Sequence, residues 1–318
     1  MDAWHCLVKA HQDGGGKWVL DGFNESDIRE IALFISSERL AAFHAITGSE
    51  RDAIVLHQQV LSVGSALAPI LAIFEISLRN TICEQLRAAF GIPGWLKTPP
   101  APFEWGDEEK TKIKEAERHS QRASYAKLTS VQKRALDTIA YPQGVPGNAK
   151  HETRVKARQK AIQVTSGQVV AQLTLYFWKR LFSEDYEKTL WKRSLRQIFP
   201  NKRLERADVS KHLEVLYQAR NRVAHHEPIY DDRLDEVLAA VEFVSRNFRS
   251  RRPSDDTPLG KLLRPHRAYL DTEVKGLKAM LETFRTTPVA RADTAEAVAE
   301  GEGEFQARDH CSGAVPKP

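Results

Sequence analysis

One stretch of the sequence concentrates side chains that can carry out acid-base chemistry. Residues 220–230 read Arg-Asn-Arg-Val-Ala-His-His-Glu-Pro-Ile-Tyr, so an arginine, an amide, two imidazoles and a carboxylate lie within eight positions. An imidazole can take up and give back a proton near neutral pH. Pro228 cannot continue a helix, so it places His225 in the last helical turn, where the helix end and Glu227 both favour the protonated ring.

The spacing from Arg220 to His225 is not evidence by itself. An arginine followed at this distance by a histidine is expected about once by chance in a chain of this composition. The sequence contains similar pairs elsewhere, at Arg39 and His44, at Arg51 and His57, and at Arg206 and His212.

The context of Arg220 separates it from the other pairs. Asp208 is a predicted helix N-cap, and the helix after it carries Val209, Leu213, Leu216 and Val223 at apolar positions, so that Arg220 fills the inward-facing position between the last two. A buried or half-buried arginine is costly unless it is paired. We therefore expect Arg220 to bind a carboxylate such as Glu75 or a ligand phosphate. Glu75 and Arg79 could alternatively form an ion pair within their own helix.

The apolar periodicity predicts helices and no strand of useful length, so the predicted fold class is all-α. Predicted helices cover residues 24–46, 50–61, 67–90, 107–140, 164–181, 208–224 and 232–248. The predicted organisation is an irregular N-terminus at 1–23, a helical domain at 24–248 with a basic elaboration at about 107–165, a linker at 249–260, a helix at 261–285 that could dock or self-associate, and a disordered tail at 286–318.

Composition predicts a cytoplasmic protein with a basic surface. The net charge is +5, and residues 97–222 hold 26 Lys and Arg against 14 Asp and Glu, an excess that attracts polyanions. The three cysteines, Cys6, Cys83 and Cys311, are scattered and favour a reducing compartment. The longest nearly apolar run, residues 66–74, is shorter than the ~18 residues of a membrane span. Residues 14–17, Gly-Gly-Gly-Lys, lack the Ser or Thr that completes a phosphate-binding loop.

Residues 220–229 resemble the RNRxAHHEPI signature of Abi-like (abortive infection) bacterial proteins, a branch of the HEPN superfamily. Shorter matches occur in the order usual for this family, at residues 37–40 (Ser-Glu-Arg-Leu), 75–80 (Glu-Ile-Ser-Leu-Arg-Asn), 177–182 (Phe-Trp-Lys-Arg-Leu-Phe), 190–191 (Leu-Trp) and 199–200 (Phe-Pro). The resemblance spans roughly residues 26–248 and leaves the C-terminal 70 residues outside it.

The resemblance implies a HEPN-like helical bundle that cleaves RNA without a metal or other cofactor, with motifs that are often paired across a homodimer. The short apolar runs, independently of the resemblance, predict no membrane association. His225 would then move a proton at the ribose 2′-hydroxyl or the leaving oxygen, Arg220 would stabilise the charged transition state, and Asn221 would orient the histidine or the phosphate. His226, Glu227, Glu75, Arg79 and Asn80 would support the site. Expected RNA contacts are Lys156, Arg158, Lys179, Arg180 and Arg222.

Three other functions remain open at the level of sequence. A non-catalytic RNA-binding or antitoxin-like protein would keep the fold and the basic surface. A protein-interaction scaffold would pair Arg220 with Glu75 and use His225 only as a helix cap. A metal site at His225, His226 and Glu227 is disfavoured, because adjacent residues diverge on a helix and a third well-spaced ligand is missing.

Overall fold

The computed structural model describes residues 10–12, 18–20 and 22–286, and the protein is all-α apart from one small β-ribbon. Strands β1 (Ala10–Gln12) and β2 (Trp18–Leu20) pair antiparallel with Ala10 opposite Leu20, within the segment that the sequence predicts to be irregular. The glycine-lysine run 14–17, Cys6, Cys311 and the predicted disordered tail after residue 286 lie outside the described residues.

Twelve helices follow in the described part of the chain. They are α1 (Glu25–Ile35), α2 (Ser37–Thr47), α3 (Glu50–Phe90), α4 (Asp107–Ala126), α5 (Ser130–Ala135), α6 (Asp137–Ala140), α7 (His151–Lys160), α8 (Ser166–Gln172), α9 (Leu175–Arg180), α10 (Arg206–Ala224), α11 (Asp231–Asn247) and α12 (Pro258–Thr286). Short 3₁₀ and π turns occupy residues 184–198 between α9 and α10.

The fold is built around α3, a 41-residue helix that contacts α1, α2, α9, α10 and α12. The sequence predicts two helices here, but the chain stays helical through residues 62–66 and through Pro69, which removes one backbone hydrogen bond. The predicted apolar stripe is confirmed, since Leu71, Phe74 and Leu78 are almost completely buried. Packing of this stripe on several helices stabilises the long helix more than local propensity does.

An 18-residue window of α3 reaches a mean hydropathy of 1.9, so α3 is long and apolar enough to cross a membrane by length and composition. The short apolar run of residues 66–74 therefore underestimates the length of α3 that is apolar enough to span a membrane. The core helix of a soluble protein meets the same criterion, and 44% of this window is buried inside the protein.

The predicted helix 24–46 is divided at Ser36. Asn24 caps α1 as expected, accepting hydrogen bonds from the backbone N–H groups of Ser26 and Asp27. Ser36 takes a positive φ of 82° and its hydroxyl caps α2 by accepting from Arg39. The division turns α2 so that Leu40 and Phe43 are buried on the core.

The basic segment after residue 106 is also more divided than the sequence predicts. Thr129 forms a capping box with Gln132, so the predicted helix 107–140 becomes α4, α5 and α6. The predicted helix 164–181 becomes α8 and α9, separated by an extended Leu173. The aromatic residues Phe177, Trp178 and Phe182 are buried, as expected for core packing.

The C-terminal helix α12 is part of the core. It lies along α3, and Leu270, Leu277 and Leu281 are buried in the same hydrophobic cluster as the residues of α3. The predicted linker is anchored, because the Thr257 hydroxyl donates to the carbonyl of Ser245 and accepts from the N–H of Gly260 at 2.8 Å. The predicted docking face of this helix is thus used within the chain.

Candidate functional site

The C-terminal end of α10 is closed by a defined capping motif. Its N-cap is Glu205, three residues before the predicted Asp208 cap, and the N–H of Glu205 donates to Oδ2 of Asp208 at 2.9 Å. At the other end His226 adopts a left-handed φ of 55°. The N–H of Glu227 donates to the carbonyl of Arg222 at 2.8 Å, and the N–H of His226 donates to the carbonyl of Val223 at 3.3 Å. This pair of bonds is a Schellman motif, usually built on glycine.

A histidine in the glycine position costs conformational energy, of the order of 1 kcal/mol. A second contact holds this turn, since Arg39 of α2 donates from Nη1 to the carbonyl of His226 at 3.2 Å. By spacing alone, Arg39 belongs to the chance arginine-histidine pairs of the sequence. Its position in the Ser-Glu-Arg-Leu match was the signal that could have assigned it to the site.

Arg220 lies beside the core rather than in it. The inward-facing position of α10 belongs to Ala219, which is 1% exposed, whereas the side chain of Arg220 is 40% exposed. The prediction that Arg220 takes the inward-facing position is therefore wrong by one residue, although Arg220 is half-buried. Successive residues of an α-helix are 100° apart. Positions 219 and 220 therefore lie equally close to the face that carries Leu216 and Val223, and the sequence does not distinguish them.

The expected partner of Arg220 is confirmed. Its Nε lies 3.3 Å from Oε2 of Glu75 on α3, whose side chain is 18% exposed. Glu75 thus pairs with Arg220 across two helices and not with Arg79 along its own. Half-exposed pairs contribute only about 0–1 kcal/mol, so the main effect of this pair is to orient the guanidinium. The two terminal Nη groups of Arg220 have no partner among the described residues.

The remaining motif side chains face solvent. Asn221 is half-buried and His225 and His226 are exposed, and none of these three side chains makes a hydrogen bond within the described chain. Glu227 is held by Arg222, whose Nη1 lies 3.1 Å from its Oε2. One helix end therefore presents an oriented arginine, a free amide and two free imidazoles.

Arg79 and Asn80 follow Glu75 by about one turn of α3, roughly 6 Å along the axis. The Nε of Arg79 donates to Oδ1 of Asn80 at 3.3 Å, so its terminal nitrogens are also unpaired in the described structure. Cys83 lies one turn further. Burial raises the pKa of its thiol to about 11, partly offset by Arg79 and Arg87, so the thiol stays protonated and is not an activated nucleophile.

Two of the expected RNA contacts are engaged in ion pairs near this site. Lys179 binds Glu214 at 2.5 Å and lies 4.9 and 4.8 Å from the ring centroids of Tyr176 and Tyr217. Arg180 binds Glu109 at 3.0 Å. Tyr217 precedes Arg220 by three residues, so these two side chains are neighbours on the surface of α10.

The other expected contacts divide between exposed and structural positions. Lys156 is exposed and unpaired within the described residues. Arg158 is 8% exposed and donates to Asp137 from Nε at 2.7 Å and from Nη2 at 2.5 Å, while Arg154 binds the same carboxylate. Arg158 therefore fastens α7 to α6, and its buried guanidinium does not form part of the exposed basic surface.

Asp137→Asn should weaken the fold in a pH-dependent way. The hydrogen bonds from Arg158, and then those from Arg154, hold the pKa of Asp137 well below its usual range. A carboxyl with a lower pKa in the folded state adds stability above its unfolded pKa of about 3.9, and this contribution is lost as the pH falls further. Urea unfolding should show the largest difference between wild type and Asp137→Asn at pH 7 and a shrinking difference below about pH 4.

Asp271→Asn is the matched control, because Asp271 is exposed and has no ion-pair partner in the described region. It should leave the midpoint of unfolding nearly unchanged at every pH. A pH-independent difference for Asp137→Asn would contradict the assignment to the ionised carboxylate.

Two further observations bear on the chemistry of the site. No three His, Cys, Asp or Glu side chains in the described part of the chain are grouped closely enough to hold a metal ion. Burial, and then the charge of Arg39, lower the pKa of His57, which packs edge-on against Phe43 beneath α2. His57 is therefore a neutral core histidine.

Comparison with known proteins gives no relative, as no family model, curated protein or solved structure matches this chain.

Proposed function

We propose that this protein is a metal-independent endoribonuclease of the Abi-like, HEPN type, acting in bacterial defence against phage. The observation that carries the proposal is the end of α10, where Arg220 is oriented through Nε by Glu75, its terminal nitrogens have no partner among the described residues, and the same helix ends at the exposed His225. The resemblance of residues 220–229 to the Abi-like signature supports the same chemistry and suggests the biological setting.

The proposed reaction is transfer of the phosphate to the neighbouring 2′-oxygen. His225 accepts the proton of the ribose 2′-hydroxyl, the 2′-oxygen bonds to phosphorus, and the bond to the 5′-oxygen breaks. A second imidazole donates a proton to the leaving 5′-oxygen, so the products are a 2′,3′-cyclic phosphate and a 5′-hydroxyl. Arg220 stabilises the charge that develops on the non-bridging oxygens, and its fork geometry suits two of them. Asn221 orients the phosphate or His225.

The second imidazole is supplied by a second copy of the chain in this proposal. Residues five apart on a helix point about 140° away from each other, so Arg220 and His225 of one copy do not easily converge on one atom. Two copies facing each other would line a groove with two arginines and two histidines. Ile76, next to Glu75 in the chain, is 48% exposed, and Leu33 and Phe34 of α1 are 80% and 77% exposed; such exposed apolar side chains support an interface between copies.

A non-cleaving RNA-binding protein of the same fold is the second candidate. This candidate is favoured by the ion pairs of Arg220 with Glu75 and of Arg222 with Glu227, because both pairs neutralise positive charge at residues 220–227. Both candidates predict RNA binding, and only the first predicts turnover.

The chemistry of the product ends tests the proposal. Purified protein incubated in EDTA with an end-labelled RNA should give fragments with 2′,3′-cyclic phosphate and 5′-hydroxyl termini, read by mass spectrometry. DNA of the same sequence should remain intact because it lacks the nucleophile. Cleavage of the DNA, 5′-phosphate ends, or loss of RNA cleavage in EDTA would overturn the mechanism, and binding without cleavage would favour the second candidate.

A further inference from the structure

A second concentration of positive charge lies at the other end of α10. A cleft of about 1120 Å³ is formed between residues 196–203 and residues 251–253. Nine described residues line it, of which five are cationic and none is a carboxylate; the cationic residues are Arg196, Lys202, Arg203, Arg251 and Arg252.

None of these five cations has an ion-pair partner in the described structure, and all five are exposed. The acidic residues of the same loop are already engaged. Asp255 lies 3.2 Å from Nε of Arg246, and Asp256 lies 3.3 Å from Nζ of Lys261. The cleft therefore has a positive potential that the folded chain does not neutralise, which is the electrostatic footprint of an anion site.

Both walls of the cleft are fastened to the same core. Asn201 is 5% exposed and donates from Nδ2 to Oδ1 of Asn247 at 3.3 Å, and its own Oδ1 accepts from the N–H of Arg203 at 3.1 Å. The opposite wall, residues 251–253, is held in place through Arg249, which has a φ of 57° and whose backbone N–H donates to the carbonyl of Ile198 at 2.7 Å. Because the cleft is built on these anchors, binding needs little reordering of the backbone.

We propose that this cleft binds the phosphate backbone of single-stranded RNA without sequence preference. Five cations on two walls suit a chain of several phosphates better than one isolated anion, and four of them are arginines, which bind phosphate in fork geometry. None of the described residues that line the cleft is aromatic, so they provide no platform for stacking on bases. The assignment of the polyanion as RNA rests on the proposed function, while the assignment of an anion site does not.

The cleft and the proposed cleavage site use opposite ends of one helix. The 19 residues of α10 separate them by about 28 Å at 1.5 Å per residue. The cleft thus holds nucleotides that flank the cleaved bond, and it adds affinity without taking part in the reaction.

A binding measurement tests the cleft separately from cleavage. All proteins carry His225→Ala so that the RNA stays intact, and fluorescence anisotropy follows a labelled 30-nucleotide oligouridine. Adding Arg251→Glu with Arg252→Glu should weaken binding at least about tenfold, and it should reduce the salt slope by about 1.4, or 0.7 for each lost phosphate contact. The control, Arg29→Glu with Arg233→Glu, reverses two exposed arginines elsewhere that have no ion-pair partner among the described residues, and it makes the same change in net charge.

An equal loss in the cleft and control variants would overturn the proposal, as would unchanged binding by the cleft variant. Loss for oligouridine but not for oligocytidine would overturn the claim of sequence independence. Arg251→Gln with Arg252→Gln, whose fold is checked by circular dichroism, should show an intermediate loss. Wild-type protein that binds through the cleft but never cleaves RNA would refute the proposed function and leave this inference standing.

Discussion

His225→Ala is expected to slow RNA cleavage by about two to four orders of magnitude, the usual contribution of a general acid or base. Arg220→Ala should lose about two to three orders, because it removes electrostatic stabilisation of the transition state. Both losses should appear in EDTA in single-turnover assays with excess protein, which remove differences in RNA affinity. Arg220→Lys should recover little, since a lysine cannot present the fork that Arg220 leaves free beside Glu75.

The chain offers a close control for this experiment. Arg39 and His44 repeat the arginine-histidine spacing, and the side chain of His44 is exposed on α2 without a hydrogen bond in the part of the chain described. His44→Ala should therefore keep wild-type activity. If His225→Ala cleaved as fast as His44→Ala, the motif at the end of α10 would not be the active site.

Mixing wild-type protein with His225→Ala tests the contribution of a second copy. The proposed reaction uses the imidazoles of both copies, so a heterodimer with a single His225 should be inactive. In a 1:1 mixture whose copies exchange, about a quarter of the dimers are wild type, so activity should fall to about a quarter of that of the same total amount of wild-type protein, by the statistics of a symmetric dimer. Activity of about one half would show that each copy acts alone or that the copies do not exchange.

Leu277→Ala is expected to lower the free energy of unfolding by about 2–5 kcal/mol, the usual cost of such a truncation in a packed core. Leu277 is completely buried in the cluster that α12 shares with α3. A loss of this size is a large part of the 5–15 kcal/mol that stabilises an ordinary domain. Urea denaturation followed by circular dichroism measures it.

Leu262→Ala makes the same chemical change on the same helix, at a side chain that is 56% exposed. It should change the free energy of unfolding by no more than about 0.5 kcal/mol. Equal midpoints for the two variants would mean that α12 is an independent extension, as its position after a predicted linker suggests. A large difference would place α12 in the cooperative unit.

The pairing of Arg220 with Glu75 illustrates what sequence could reach. The need for a partner follows from the cost of desolvating a guanidinium, and Glu75 was the expected carboxylate. The sequence placed Arg220 one position too deep, because the helical period leaves 219 and 220 almost equivalent between Leu216 and Val223. Only the packing of α10 against α3 selects Ala219 as the buried residue.

The basic residues show more clearly what the sequence could not predict. Composition identified an excess of positive charge in residues 97–222 but could not say which cations are neutralised. Arg158 and Lys179 bind Asp137 and Glu214, partners 21 and 35 residues away in sequence. The cleft whose cations have no ion-pair partner among the described residues lies between residues 196–203 and residues 251–253, which belong to the predicted linker at 249–260.

Local patterns in the sequence were enough to predict the all-α class, the apolar stripe of α3, the cap at Asn24 and the concentration of reactive side chains at residues 220–227, because periodicity and capping are local properties of the chain. Tertiary contacts were needed to show that α12 belongs to the core, that Glu75 orients Arg220, that Arg39 holds the turn at His226, and that five cations around one cleft have no ion-pair partner among the described residues. These outcomes depend on contacts between residues far apart in sequence, and no local pattern records which helices meet.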